Sequence, residues 1–298
     1  TLSPGTGISN PAYNARRVRF VLQRNEAIAD ADLDGDAADG DTAGVHVVLM
    51  WREQAVADPT AGSDVKIVRG IKDTVARPGS TGFLPTDIEP YTSAQNLSNL
   101  VGKAIMDNSL AQRGLLRGEK LAVAFDRTWN IVDANAVPPT KTYNLWVVTS
   151  LDAGTTWNTP YNVSKIGNPS IRAVEPRLVG TPGTIKLPNG SATGELTDVQ
   201  NTGVFFVSYG TETNEAESVP LDIVMRHTAD FGATYSAKYW LAGGPSAQSE
   251  TQIRSTPDGS SISALWMREI NNSLIDVVFR TGSVIVARRI ADIRASAE

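Results

Sequence analysis

Short apolar segments recur in pairs along this chain, and each pair has the pattern of a β-hairpin. The segments are rich in β-branched and aromatic residues and are bounded by Gly, Pro, Asn or Asp, which is typical of strands rather than helices. Strands joined in this way predict an antiparallel, all-β fold. The pairs are 45–53 with 64–69, 120–125 with 143–150, 203–209 with 221–226, and 262–269 with 274–280.

The repetition of one two-strand unit predicts a β-propeller, because radial repetition leaves only short, protected strand edges. A β-sandwich is the alternative, but it does not predict the same unit four times. The units start at residues 45, 120, 203 and 262, which is wider than the ~40–50 residues of a compact propeller blade. We therefore expect one propeller domain over residues 1–298 with long inter-strand loops. One short helix is expected between Ala94 and Gln112.

A turn motif of the form (S/T)-x-D-x-G-x-T-(W/Y) follows two of these units. Asp152 and Asp230 would accept backbone N–H groups of the turn, and Gly154 and Gly232 would allow a positive φ. The closing Trp157 would pack across its hairpin. The motif resembles the Asp-box (BNR repeat) of sialidase-like propeller blades, which implies a structural, peripheral role for both aspartates. The two copies are residues 150–157 and 228–235.

A second resemblance covers most of the chain. Several phrases are similar to those of the choice-of-anchor O family of bacterial proteins with sialidase-like repeats. This resemblance implies a cell-surface or secreted location and a propeller fold, and it implies no particular activity. The segment 288–298 carries no recognisable anchor, so we expect a processed or partial chain. The phrases are residues 113–119, 175–184, 198–201, 205–211 and 250–254.

Charge and composition exclude several classes of partner. The formal net charge is −5, and six aspartates lie between Asp30 and Asp41 with no cation among them, so the rest of the chain is nearly neutral. A broad nucleic-acid surface is therefore not expected. The apolar runs are of strand length, so no transmembrane segment is predicted. The chain has no cysteine, which excludes disulfides and thiolate metal sites.

The acidic segment 30–41 fits the calcium-loop pattern D-x-D-x-D-G-x5-[DE], with Gly35 at the turn. It departs from that pattern at position 9, which is Ala38, and at position 12, which is Asp rather than Glu. A solvated acidic loop is the alternative. Because six carboxylates held together repel one another, we predict a structural calcium ion. The predicted ligands are Asp30, Asp32, Asp34, Asp36 and Asp41.

A sialidase-like enzyme would need arginines that clamp a carboxylate, a Tyr nucleophile with a Glu partner, and an acid. The sequence does not show such a convergent group. Glutamate-containing phrases would bring carboxylates to the propeller axis if they lie on the innermost strands. The alternative is that these carboxylates form ion pairs between neighbouring blades. The candidate axial residues are Glu89, Glu175, Arg177, Glu250 and Arg254.

These observations favour a non-enzymatic extracellular, cell-surface or periplasmic propeller that serves as a structural or binding module. Protein partners, self-assembly at the cell surface or a glycan ligand would fit such a module. A glycoside hydrolase acting on surface glycans is the first alternative. An accessory subunit of a larger extracellular assembly is the second.

Overall fold

The computed structural model describes eighteen strands and one short helix. The predicted all-β class is confirmed, and the four predicted strand pairs coincide with β2–β3, β7–β8, β13–β14 and β17–β18 as defined below. The described residues are 12–22, 45–56, 62–72, 88–90, 94–101, 109–117, 120–133, 140–168, 171–181, 186–188, 196–198, 203–213, 222–256, 259–271 and 274–283.

Four sheets follow one another along the chain, and in each the strands pair mostly in sequence order. The first sheet has the order β1-β2-β3-β4, with β5 also paired to β3, and the second has the order β6-β7-β8-β9. Their strands are β1 (Tyr13–Leu22), β2 (Val45–Ala55), β3 (Ser63–Lys72), β4 (Ile88–Pro90), β5 (Gln95–Asn96), β6 (Gln112–Arg117), β7 (Lys120–Asp133), β8 (Thr140–Ser150) and β9 (Tyr161–Asn162).

The third and fourth sheets repeat this sequential order. The third is β10-β13-β14-β15, with the small hairpin β11-β12 inserted between its first two strands, and the fourth is β16-β17-β18. Their strands are β10 (Ile171–Gly180), β11 (Lys186–Pro188), β12 (Leu196–Asp198), β13 (Phe205–Thr213), β14 (Asp222–Thr228), β15 (Tyr239–Ala242), β16 (Gln248–Ser255), β17 (Ser261–Asn271) and β18 (Leu274–Ser283).

The chain divides into two compact units. The first comprises Thr1–Asn130 with Trp146–Pro160, and the second comprises Ile131–Leu145 with Tyr161–Glu298. The points of division fall within β7, within β8 and just before β9. The prediction of a single domain stays a prediction.

The core of the first unit lies between facing strands of its sheets. Met50 and Ile67 are at most 1% exposed, and they belong to one apolar cluster with Leu121 and Phe125, which are fully buried. A Cβ added at Gly114 of β6 would collide with the side chain of Val21 and come within 2.8 Å of Met50 Cε. Glycine at this position therefore lets β6 approach the first sheet closely.

The core of the second unit joins its third and fourth sheets. Phe206 of β13 and Ile223 of β14 pack in one cluster with Ile253 of β16 and Trp266 of β17. The Trp266 indole N–H donates to Gln248 Oε1 at 2.6 Å, so the buried polar edge of the ring is satisfied.

Within residues 94–112, where one short helix is expected, the described residues include a short 3-10 helix together with strand. Gln95 and Asn96 form β5, Leu97–Val101 form a 3-10 helix of five residues, and Gln112 begins β6. Ser98 donates to Asp64 Oδ1 at 2.9 Å, and Asn96 donates to Asp64 Oδ2 at the same distance. These side-chain bonds tie the segment to β3 and compete with helix formation. In the described part of the chain, no helix is long and apolar enough to span a membrane.

Candidate functional site

A non-glycine residue with positive φ interrupts the first strand of three of the sheets. These residues are Arg17 in β1, Glu175 in β10 and Glu250 in β16, with φ of 54°, 52° and 52°. Each lies where the pairing register with the next strand shifts, which marks a β-bulge. Left-handed backbone at a residue with a Cβ is costly, and such residues cluster at functional sites. The first strands therefore carry a backbone feature that is typical of functional sites.

In the second unit, two of these bulges lie side by side. The Glu250 N–H donates to Glu175 Oε2 at 3.2 Å, and both side chains are exposed. Glu175 and Glu250 thus occupy the same bulge position in the first strands of the third and fourth sheets. The structure brings these two candidates together through an amide-to-carboxylate contact.

The two arginines on the same strands bind backbone carbonyls. Arg177 Nε donates to the Thr251 carbonyl at 2.8 Å, which links β10 to β16. Arg254 Nη1 donates to the carbonyl of Ile253 at 2.8 Å. Both guanidinium groups therefore bind main-chain oxygens of the strands that carry the glutamates.

Glu89 does not share the position of the other two glutamates. It lies in β4, the fourth strand of the first sheet, where it pairs with Ile71. The first-strand counterpart in that sheet is Arg17. Glu89 therefore lies on the last strand of its sheet, whereas Glu175 and Glu250 lie on the first strands of theirs.

The first unit holds a buried carboxyl group that the sequence analysis did not single out. Asp126 of β7 is 1% exposed, and its Oδ1 accepts the N–H groups of Leu110 and Ala111 at 2.7 and 2.8 Å. Burial raises the pKa of Asp126 to about 6, although the two N–H groups and the charges of Arg17 and Arg52 pull it downward. A pKa of about 6 is well above the ordinary range of an aspartate.

A buried glutamine connects this region to the bulge of β1. Gln112 Nε2 of β6 donates to the Arg17 carbonyl of β1 at 2.6 Å. This hydrogen bond stabilises the left-handed backbone at Arg17. Gln112 Oε1 is buried and has no hydrogen-bond partner within the described part of the chain. Gln112 of β6 and Asp126 of β7 are thus buried polar side chains on neighbouring strands.

Both Asp-boxes have the same internal hydrogen bonds. Asp152 Oδ1 accepts from the Ser150 hydroxyl at 2.7 Å and from the Thr156 N–H at 2.8 Å, while its Oδ2 accepts from the Thr156 hydroxyl at 2.6 Å. These hydrogen bonds lower the pKa of Asp152 against an opposing effect of burial, which is the largest single influence. The carboxylate is therefore occupied within its own turn.

The second copy repeats these contacts. Asp230 accepts from the Thr228 hydroxyl at 2.8 Å and from the N–H and hydroxyl of Thr234 at 2.8 and 2.6 Å. Gly154 and Gly232 have φ of 85° and 92°. The preceding residues also have positive φ, which the motif did not predict; these are Ala153 and Phe231.

The closing aromatic of the first Asp-box reaches farther than its own hairpin. Trp157 packs against the core of the first unit, and its indole N–H donates to Gln95 Oε1 at 2.9 Å. The residue at the same position of the second copy, Tyr235, stacks on Tyr161 with ring centroids 4.5 Å apart. Both aromatics thus connect an Asp-box turn to another element.

The predicted calcium ligands lie outside the described residues. Among the residues that are described, no group of three or more His, Asp or Glu side chains is placed to hold a metal ion. The calcium loop at residues 30–41 stays a prediction.

Comparisons with known proteins identify similar folds and no sequence family. No protein-family model matches the chain, and no curated protein matches it. A Hadza microbial sialidase has a TM-score of 0.42 and 13% identity, covering 90% of this chain and 44% of that one. A GH93 α-L-arabinofuranosidase of Fusarium graminearum has a TM-score of 0.44 and 10% identity, covering 92% and 65%.

An intramolecular trans-sialidase from Ruminococcus gnavus has a TM-score of 0.39 and 13% identity, covering 92% of this chain and 71% of that one. The chain spans less than two thirds of the first two matched structures. At this level of identity and similarity, the activities of those proteins are no argument about this one.

Proposed function

We propose that this protein is an extracellular or cell-surface module of the sialidase-like propeller class that binds or supports other molecules without cleaving them. One observation carries the proposal: the arginines beside the first-strand glutamates bind main-chain oxygens. A sialidase-type site instead directs guanidinium groups at the carboxylate of a substrate through paired hydrogen bonds. In this chain Arg177 links β10 to β16, and Arg254 binds the carbonyl of its own neighbour in β16.

The contact between the two first-strand bulges supports the same proposal. The Glu175 carboxylate accepts the backbone N–H of Glu250, so it contributes to the junction of β10 and β16. Polar networks of this kind stabilise neighbouring strands and do not require a catalytic role.

A glycoside hydrolase is the second candidate, and one observation favours it. An acid with a pKa near the working pH is what general acid–base catalysis requires, and the pKa of Asp126 is raised to about 6 by burial. Asp126 is almost fully buried and its Oδ1 caps the loop before β6, which is the reason we rank this candidate second.

A turnover screen separates the two candidates. The purified protein is incubated with fluorogenic sialosides, arabinofuranosides and other glycosides between pH 4 and 8. We expect release of the fluorophore at the rate of the protein-free control. Turnover above that control that disappears in Asp126→Asn, but persists in Arg268→Gln, would establish the hydrolase instead.

We further propose that the loop at residues 30–41 binds one structural calcium ion. The support is the spacing of its aspartates and the position of Gly35. Binding to the folded state alone stabilises a protein by about 2.7 kcal/mol when the free ion exceeds its Kd a hundredfold. We expect EDTA to lower the melting temperature and added calcium to restore it.

The matched variant for this experiment is Asp32→Asn combined with Asp34→Asn. It should melt at the temperature of the EDTA-treated protein and should not respond to calcium. A wild-type melting temperature that is insensitive to both EDTA and calcium would remove the calcium proposal. Native mass spectrometry of the same samples counts bound ions and tests self-assembly or an accessory-subunit role.

A further inference from the structure

Two stacked tyrosines and several cations form a cluster in the second unit, away from the first strands. Tyr161 of β9 stacks on Tyr235, which ends the second Asp-box, with an interplanar angle of 27°. The Arg226 guanidinium lies 5.7 and 5.9 Å from the centroids of these two rings. The Lys165 ammonium lies 4.9 Å from the Tyr161 ring centroid.

Arg226 supplies a fixed positive charge beneath this cluster. It is 7% exposed, and its Nε and Nη1 donate to the carbonyls of Ser236 and Val163 at 2.7 and 2.9 Å. Carbonyl oxygens and aromatic faces satisfy the donors of a guanidinium without neutralising its charge. The positive charge therefore remains at the base of the cluster.

Lysines add to this charge at the surface. Lys165 and Lys238 are both exposed. Burial lowers the pKa of Lys238, and the nearby charges of Arg226 and Lys165 lower it further. The acid that faces Tyr235 is Asp230, and both of its oxygens already accept hydrogen bonds within the Asp-box turn. The cluster therefore has more positive than negative charge.

The Lys165 ammonium, which can only donate, donates a hydrogen bond to the Tyr161 hydroxyl oxygen. A hydrogen bond with Lys165 is the main cause that lowers the pKa of Tyr161; burial opposes it, and Arg226 adds to it. The backbone at Lys165 has a φ of 43°, and its N–H donates to Asn162 Oδ1 at 2.8 Å. This turn fixes the start of the Lys165 side chain beside the ring. Tyr235 adds a buried hydroxyl that lacks a hydrogen-bond partner within the described part of the chain.

We propose that Lys165, Lys238 and the Tyr161 hydroxyl bind an oxyanion carried by an acidic saccharide, either a sulfate ester or a carboxylate. Two exposed ammonium groups and a phenol supply hydrogen-bond donors for such a group. The buried Arg226 adds electrostatic attraction without direct contact. Tyrosine rings present apolar edges next to a polar tip, which suits the mixed surface of a sugar. This site is separate from the first-strand region, so the proposal holds whether or not the protein cleaves glycosides.

Calorimetric titration with defined ligands tests the proposal. The probes are a sulfated heparin tetrasaccharide, a tetragalacturonate and a neutral tetrasaccharide of the same length, with inorganic sulfate as a competitor. We expect the two acidic probes to bind, the neutral probe not to bind, and sulfate to compete. The tighter of the two acidic probes identifies the sulfate ester or the carboxylate as the preferred group.

Variants locate the binding to this cluster. Lys165→Gln and Lys238→Gln should each raise the Kd of the acidic probe about fivefold. This is the effect of losing one close charge contact in water. Tyr161→Phe retains the stacked ring but loses the hydroxyl, so it should raise the Kd of the acidic probe by a smaller factor. Arg268→Gln is the control, because it removes one positive charge that pairs with Asp276 on the exposed face of the fourth sheet.

Three results would overturn the proposal. One is equal binding of the neutral and acidic probes, and another is no binding of either acidic probe at millimolar concentration. The third is a weakening in Arg268→Gln that equals the weakening in the lysine variants, because this would indicate attraction by the overall charge. Circular dichroism of each variant establishes that the fold is retained.

Discussion

Replacing Asp126 by asparagine should remove a fall in stability that the wild-type protein shows between pH 4 and pH 7. The pKa of this carboxyl group is raised from 3.8 to about 6 in the folded protein by burial. The folded state then binds more protons than the unfolded state between these two values. The stabilisation from the protonated carboxyl is complete below about pH 4 and is lost as the pH rises through about 6.

The expected size of this loss is about 3 kcal/mol, from roughly two pKa units at about 1.4 kcal/mol each. Urea unfolding at pH 4, 5, 6 and 7 measures it. Asparagine keeps an oxygen that can accept the N–H groups of Leu110 and Ala111. The free energy of unfolding of Asp126→Asn should therefore vary less with pH than that of the wild type. Asp276→Asn is the control. Because the Asp276 side chain is 47% exposed, this variant should keep the pH dependence of the wild type. Parallel pH profiles for the wild type and Asp126→Asn would contradict the expectation.

Replacing Arg226 by methionine should destabilise the protein by about 3 kcal/mol, because it leaves carbonyl groups that are shielded from water without a hydrogen-bond donor. Arg226 donates to Ser236 and Val163 and, at 3.5 Å, to the carbonyl of Tyr235. The long apolar stem of methionine still fills part of the space, so the loss reports mainly on these hydrogen bonds. Thermal unfolding and urea unfolding measure the change.

Arg226→Lys is the matched variant. It keeps the positive charge but has no planar fork of donors, so we expect it to lose most of the same stability. Arg280→Met provides a comparison, because Arg280 is exposed and donates to the Leu241 carbonyl at 3.1 Å. A loss below about 1 kcal/mol in Arg226→Met, similar to that of Arg280→Met, would show that the network contributes little.

The sequence predicted the strands with regular apolar runs clearly, and those that are interrupted or short less clearly. Among the central strands, β13 is buried over most of its length, and β17 alternates buried Ile262, Ala264 and Trp266 with more exposed residues. The first strands contain bulges at Arg17, Glu175 and Glu250, and an inserted residue shifts the alternation of inward and outward side chains. Outer strands such as β9, with two residues, are too short to produce a pattern.

The polar residues that distinguish the sites were only partly predictable. The Asp-box aspartates were identified because their partners lie within six residues along the chain. Asp126 follows an apolar strand directly, and Arg226 lies inside another, so a charge in a predicted buried strand was the available signal. The stacking of Tyr235 on Tyr161 depends on tertiary packing of separate elements, and no sequence spacing encodes it.

The sequential order of the sheets bears on how the chain folds during synthesis. The second sheet ends at Asn162, before the third begins at Ile171, and the fourth lies wholly within residues 248–283. Pairing strands that are close in sequence requires closing short loops, which favours faster folding than long-range pairing does. Each sheet can therefore form soon after its last strand leaves the ribosome, so few unpaired strand edges accumulate while the remainder of the chain is made.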